Sequence, residues 1–210
     1  MCQSNYKRSI VKVIGISQRV EFISNYNETR DCLDQRWTLL AHELNCLAYP
    51  IPNLFNKHSV SYLDNLSFDA IILSGGGSVE HFSCDAEMSP RDQTEMLLIT
   101  EGRKRKIPIL GVCRGMQFIN LYFGGQISEV NNHVACYHNL NVLSEYQYLI
   151  NNTVNSYHNF GIMRKELARC LMPIAWDDAD YIEGFTHNDE RIAGIMWHPE
   201  REAGFNSKRS

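Results

Sequence analysis

Gly111-Val112-Cys113-Arg114-Gly115 sets a thiol between two glycines, directly after the apolar run Ile107-Pro108-Ile109-Leu110 and directly before the apolar-periodic Met116 to Phe123. This is the arrangement of a nucleophile elbow. A sharp strand-to-helix turn holds the nucleophile in strained backbone geometry, and the flanking positions must be small for the turn to close. At a helix N-terminus the unpaired amides and the macrodipole favour thiolate over thiol, and the Arg114 amide points to where an oxyanion would form. A second constellation, His198-Pro199-Glu200, closes the run Ile195-Met196-Trp197. A cysteine nucleophile needs an imidazole to manage its proton and later to activate water, and that imidazole needs an acceptor on its other nitrogen. His198 and Glu200 fit those two roles. Ser74-Gly75-Gly76-Gly77 follows the apolar Ala70-Ile71-Ile72-Leu73 and lacks the spacing of nucleotide phosphate loops. Glycine-freed amides at a strand end can donate to an oxyanion, and Gly76 is the expected donor with Gly75 the near alternative.

The other six cysteines, Cys2, Cys32, Cys46, Cys84, Cys136 and Cys170, have no short repeating spacing. An odd total of seven suits free thiols in a reducing compartment. Cys32, Cys46 and Cys170 read as packing residues among apolar neighbours. His81-x-x-Cys84 together with His133-x-x-Cys136-x-His138 is too loosely spaced to specify a metal site, and no metal is assigned.

The elements that must position these residues follow from periodicity. Ile10 to Ile16, Ala70 to Leu73 and Ile107 to Val112 are short apolar runs without polar alternation, as strands of a sheet covered on both faces should be. Between them, Asn27 to Leu44 carries Leu33, Trp37, Leu40, Ala41 and Leu44 at helical spacing behind an Asn27 cap, and a second helix is expected from Pro90 to about Lys104. Beyond Gly125 the runs His138 to Leu143, Met172 to Trp176, Tyr181 to Thr186 and Ile192 to Trp197 are β-prone, with turn residues between them. The expected fold class is α/β: a mostly parallel central sheet flanked by helices with a mixed or antiparallel β extension, in one domain over residues 1–210. The tail Ala203 to Ser210 is polar and carries no amphipathic helix.

Composition bounds what such a site can meet. Hydrophobic residues make up 44% of the 210 positions, charged residues 21%, and the formal net charge is -4. That balance excludes a disordered chain, and it gives no general attraction for nucleic acid or anionic lipid, so neither nucleic acid nor membrane is expected as a partner. The N-terminal Met1 to Arg8 has no apolar run behind its charges, and the expected compartment is the cytoplasm. An anionic substrate must be met by local groups. Arg19 directly follows the first core strand, at the crevice end of the sheet, and suits a diphosphate; Arg30 and Arg36 read as solvated positions of the helix.

In order along the chain, the glycine loop, the Gly111-x-Cys113-x-Gly115-x-Gln117 elbow and the terminal His198-Pro199-Glu200 resemble the class I glutamine amidotransferase superfamily, with its flavodoxin-like architecture. Cys113-Arg114-Gly115-Met116-Gln117 and Val154-Asn155-Ser156-Tyr157-His158 resemble its stand-alone γ-glutamyl hydrolase branch, peptidase C26. Within that branch, Ile16 to Arg19, Tyr26 to Trp37 and Ser156 to Phe160 are most similar to hydrolases of γ-glutamyl nucleotide amidates, which serve phosphoramidate decoration of bacterial surface polysaccharide. The resemblance implies Cys113 as nucleophile, His198 as base, Glu200 as orienter, the amides of Gly76 and Arg114 as oxyanion hole, and Gln117 with Asn155, Ser156, Tyr157 and His158 around the glutamyl head beside Gly75. It implies a small γ-glutamyl substrate and no cofactor, and it leaves the oligomeric state open. The alternative it carries is a glutaminase subunit that delivers ammonia to a separate synthetase. The branch often has Gly-Gly-x-Asp where this chain has Gly76-Gly77-Ser78-Val79.

Overall fold

The apolar runs become strands. The computed structural model describes residues 11–53, 67–77, 79, 88–131 and 133–202. In chain order the strands are β1 (Lys12–Ser17), β2 (Arg19–Ile23), β3 (Glu28–Cys32), β4 (Cys46–Ile51), β5 (Ala70–Leu73), β6 (Ile109–Val112), β7 (Ser128–Glu129), β8 (Val134–Asn139), β9 (Asn141–Val142), β10 (Thr153–Tyr157), β11 (Phe160–Gly161), β12 (Leu171–Trp176), β13 (Ile182–His187) and β14 (Ile192–Ile195). The helices are α1 (Arg36–Glu43), α2 (Pro90–Arg105) and α3 (Arg114–Tyr122).

Eight strands form the main sheet in the order β4-β1-β5-β6-β14-β13-β12-β9. The first five pair in parallel and the last three antiparallel, giving the mixed extension that the β-prone second half predicts. Alternate residues of the parallel strands enter different cores. Ile71, Leu73 and Ile109 pack with Leu98 and Ile99 of α2, Met116, Phe118 and Ile119 of α3, Phe185 and Met196. On the opposite face Ile16, Ile72, Leu110 and Val112 pack with Trp37 and Leu40 of α1. Helices on both faces explain why these strands carry no polar side.

The expected helix over Asn27 to Leu44 is corrected. Only Arg36–Glu43 is α-helical; Glu28–Cys32 instead pairs antiparallel with Arg19–Ile23, and Asn27 turns the chain between them with φ 49°. The cause lies in the pattern itself. Trp37, Leu40 and Ala41 supply an apolar stripe, whereas Glu-Thr-Arg-Asp-Cys offers none, and asparagine tolerates the left-handed conformation that a turn demands. Arg30 therefore stands on a strand, ion-paired to Glu28 at 2.8 Å, and Arg36 opens α1.

α2 begins where Ser89 and Pro90 place it. The Ser89 hydroxyl accepts from the Asp92 N–H at 3.1 Å, proline occupies the first helical position, and Arg103, Lys104 and Arg105 fill the last turn. This cap fixes a first turn whose Arg91, Asp92 and Glu95 are all buried and reach the site.

Candidate active site

The elbow forms as the residue types require. Cys113 follows β6, precedes α3 and carries φ 52° and ψ -105°, a conformation L-residues rarely adopt and one costing about 1–3 kcal/mol. Its N–H donates to the Ile195 carbonyl at 2.8 Å, so the main-sheet ladder holds the strain in place. Gly115 is forced by close approach, since a Cβ there would run into the Leu73 carbonyl of the next strand. One expectation is corrected. Burial pushes the Cys113 thiol up to about 12, and the Arg114 backbone N–H hydrogen-bonded to it draws it only part of the way back. Desolvation outweighs the helix N-terminus here, and the group rests as a thiol.

His198 reaches the same end of the sheet. β14 pairs in parallel with β6, with Ile195 opposite Val112, so Cys113 and the segment to His198 leave the C-terminal ends of neighbouring strands. His198 Nδ1 lies 2.7 Å from Glu200 Oε1, and both residues are buried. With Nδ1–H donating to the carboxylate, Nε2 keeps its lone pair. Asn155 holds the His198 backbone on both sides: its Oδ1 accepts from the His198 N–H at 2.9 Å, and its Nδ2 donates to the His198 carbonyl at 2.9 Å. The Tyr157 ring stands edge-on to the imidazole, centroids 5.7 Å apart.

The glycine loop lies against the imidazole, where a Cβ on Gly75 would sit 2.5 Å from His198 Cε1. Its carbonyls face the other way. Arg91 Nη2 donates to Ser74 O at 2.6 Å and Gly75 O at 3.3 Å, and Nη1 donates to Gly76 O at 2.5 Å. Across a trans peptide the N–H is directed opposite to the carbonyl, so the amides of Gly75, Gly76 and Gly77 turn away from Arg91. Arg91 in turn is fixed by Glu95, whose Oε1 accepts from Arg91 Nε at 2.8 Å and from the Ser17 hydroxyl at 2.8 Å. The second carboxylate oxygen of Glu95 accepts from Arg114 Nη1 at 2.5 Å, and Arg114 Nη2 also donates to Asp92. Burial alone would push the Glu95 carboxyl up, but the Arg114 and Arg91 charges outweigh it and hold it below the ordinary carboxylate range. One buried carboxylate thus braces both arms of the expected oxyanion hole.

The remaining sequence candidates divide. Arg19 lies beside Gly76 and lines the crevice with Ser74, Gly75, His198, Glu200 and Arg201, its guanidinium 2.9 Å from Glu21. Cys32, paired in register with Arg19, stands at that crevice and not in the core, because it belongs to the hairpin. Gln117 donates to the Phe160 carbonyl at 2.8 Å. The Ser156 hydroxyl donates to the His133 carbonyl at 2.6 Å, and His158 faces Glu183, its Nε2 3.5 Å from Oε1. His133 and His138 come together with His158, whereas His81 and Cys84 of the loose metal pattern lie outside the described residues. Sequence reasoning missed Arg91, Asp92, Glu95, Glu183 and the clamp made by Asn155. Arg91 and Glu95 did carry a signal: oppositely charged residues four apart near the start of a helix that must bury one face.

The family model of peptidase C26 matches residues 12–200. The chain belongs to the peptidase C26 family. It is a hydrolase with a glutamine amidotransferase-like fold, and among curated proteins it is 37% identical over 195 residues to the gamma-glutamyl-CDP-amidate hydrolase of Campylobacter jejuni, covering 92% of each chain. The fold matches a Thermoplasma acidophilum protein assigned to GMP synthase, with a TM-score of 0.66 at 24% identity over 91% of this chain and 86% of that one. A glutamine amidotransferase of Thermotoga maritima matches with a TM-score of 0.62 at 18% identity, over 90% of this chain and 76% of the other. This peptidase C26 member therefore shares its fold with those two structures and is more similar in sequence to the Campylobacter jejuni hydrolase.

Proposed function

We propose that this chain hydrolyses γ-glutamyl-CDP-amidate, through a γ-glutamyl thioester on Cys113. The observation that carries the reading is the convergence at one sheet end of a strained cysteine, an imidazole locked to a buried carboxylate, and a glycine loop whose amides face away from Arg91. His198 Nε2 takes the Cys113 proton as sulfur attacks the γ-carbonyl carbon. The oxygen gains charge between the amides of Gly76 and Arg114, each such donor being worth about 10²–10³ in rate. The C–N bond then breaks, and the His198 proton passes to the departing nitrogen, releasing the nucleotide amidate. Water, deprotonated by His198, attacks the thioester and frees glutamate and the thiol.

The buried thiol makes a base necessary. With burial pushing Cys113 up to about 12, its proton has to be taken for sulfur to attack, and His198, held by Glu200, is the base in this reading. Arg19, at the crevice beside Gly76, is the natural contact for the leaving diphosphate. The product is the activated amidate that phosphoramidate decoration of a surface polysaccharide consumes, a step placed in the cytoplasm by its nucleotide substrate and by the scattered free cysteines of the chain.

The test is to assay the full chain alone against γ-glutamyl-CDP-amidate and against glutamine. Efficient turnover of the nucleotide amidate with poor glutaminase activity supports the reading. Efficient glutamine hydrolysis, or glutaminase activity that appears only with an added synthetase, replaces it with the ammonia-delivering role.

A further inference from the structure

Behind β10, three side chains from three segments turn ring nitrogens and a carboxylate toward one another. His138 comes from β8, His158 from the residue after β10, and Glu183 from β13. Their donor atoms all lie within 4.8 Å of one another: His138 Nε2 is 3.6 Å from Glu183 Oε2, and His158 Nε2 is 3.5 Å from Glu183 Oε1. None of these four atoms has a hydrogen-bond partner, although Glu183 is 1% exposed and His158 3%.

That arrangement is costly as it stands. Buried polar atoms are almost always hydrogen-bonded, whereas the Glu183 carboxylate has only two imidazoles at 3.5 and 3.6 Å, within ion-pair reach and outside good hydrogen-bond geometry. His158 Nδ1 lies 2.9 Å from the Phe160 carbonyl, an acceptor, so Nδ1 carries a proton and Nε2 is the ring atom turned to the carboxylate. The separations are too long for good N–H···O bonds, yet they fit ligands of one ion: donor atoms about 2.1 Å from a shared tetrahedral zinc stand about 3.4 Å apart. A backbone carbonyl on the far ring nitrogen is the usual support of a metal-bound histidine.

We propose that His138 Nε2, His158 Nε2 and the Glu183 carboxylate bind one Zn²⁺, with the fourth position left to water. Two imidazoles and a carboxylate suit zinc better than the hard cations. The neighbouring set of His133, His138 and Asp177 is less apt, because His133 already has Asn131 O at 3.0 Å on Nδ1 and Asp177 Oδ2 at 3.0 Å on Nε2. The ion ties the two-stranded β8–β10 sheet to β13 of the main sheet. It thereby steadies the strand whose Asn155 clamps His198.

The experiment uses the full chain, stripped with chelator, reloaded with Zn²⁺ and desalted, with metal content read by elemental analysis. About one equivalent retained and a higher Tm than the stripped protein are expected. Cobalt loading should give the visible bands of a four-coordinate ion without thiolate charge-transfer absorption, which separates this site from the cysteines. Glu183→Gln and His138→Gln should lose the metal, and Asn155→Ala should keep it. Retention well below one equivalent in the wild type, thiolate bands on cobalt, or full retention in both ligand variants overturns the proposal. The cobalt spectrum decides the matter even where a variant fails to fold.

Discussion

Asn155 clamps His198 by both ends of its carboxamide, accepting from the His198 N–H and donating to the His198 carbonyl, each at 2.9 Å. The clamp holds the backbone on either side of the imidazole. Asn155→Ala should lower kcat by about 100-fold, the cost of a misplacement of about 1 Å, while leaving KM within about threefold. Steady-state kinetics checks this, and a rise in KM at constant kcat would return Asn155 to the glutamyl pocket.

Cys113→Ala should abolish turnover without loss of fold, since little core volume goes with the sulfur. Because burial pushes the thiol up to about 12, raising pH increases the small thiolate fraction throughout the accessible range. Alkylation of Cys113 in the free protein should therefore rise about tenfold per pH unit from about pH 7 to 10. Mass-spectrometric labelling rates test it, and a plateau near neutral pH would mean a preformed thiolate.

His198 and Glu200 should differ in consequence. His198→Asn removes the proton carrier and should cost at least about 10⁵ in kcat; Glu200→Gln removes only its orienter and should cost about 10³–10⁴. Comparable, small losses for both would point to another base.

Glu95→Gln leaves Arg91 and Arg114 sharing a buried neutral amide, and should destabilise the fold by about 3–5 kcal/mol in denaturant unfolding. The sign of the pH effect follows from the depressed carboxyl. Its contribution is fully present above the unfolded value of 4.5 and is lost as pH falls through the lower folded value. Acid unfolding of the wild type should therefore be steeper below that pH than that of Glu95→Gln.

Arg19→Ala should raise KM for γ-glutamyl-CDP-amidate by about tenfold and leave KM for glutamine nearly unchanged, because a charge-assisted contact to a diphosphate is lost from one substrate alone. Equal effects on both substrates would make Arg19 a support of the Gly76 loop.

The elbow and the His198–Glu200 pair were legible in the sequence because their requirements are local: a turn needs small residues within two positions of Cys113, and the acceptor stands two residues beyond its histidine. The parallel strands were legible because burial on both faces removes polar alternation. The hairpin of β2 and β3 was not, since the stripe of Trp37, Leu40 and Ala41 drew its neighbours into one apparent helix. Other features depend on side chains far apart in the chain, whose meeting only the sheet order decides. Asn155 finds His198 across 43 positions, Glu95 finds Arg114 across 19, and Glu183 meets two histidines from other segments. The sequence also misjudged the thiol, for a helix N-terminus is a local property, whereas the desolvation that overrides it is set by everything packed around Cys113.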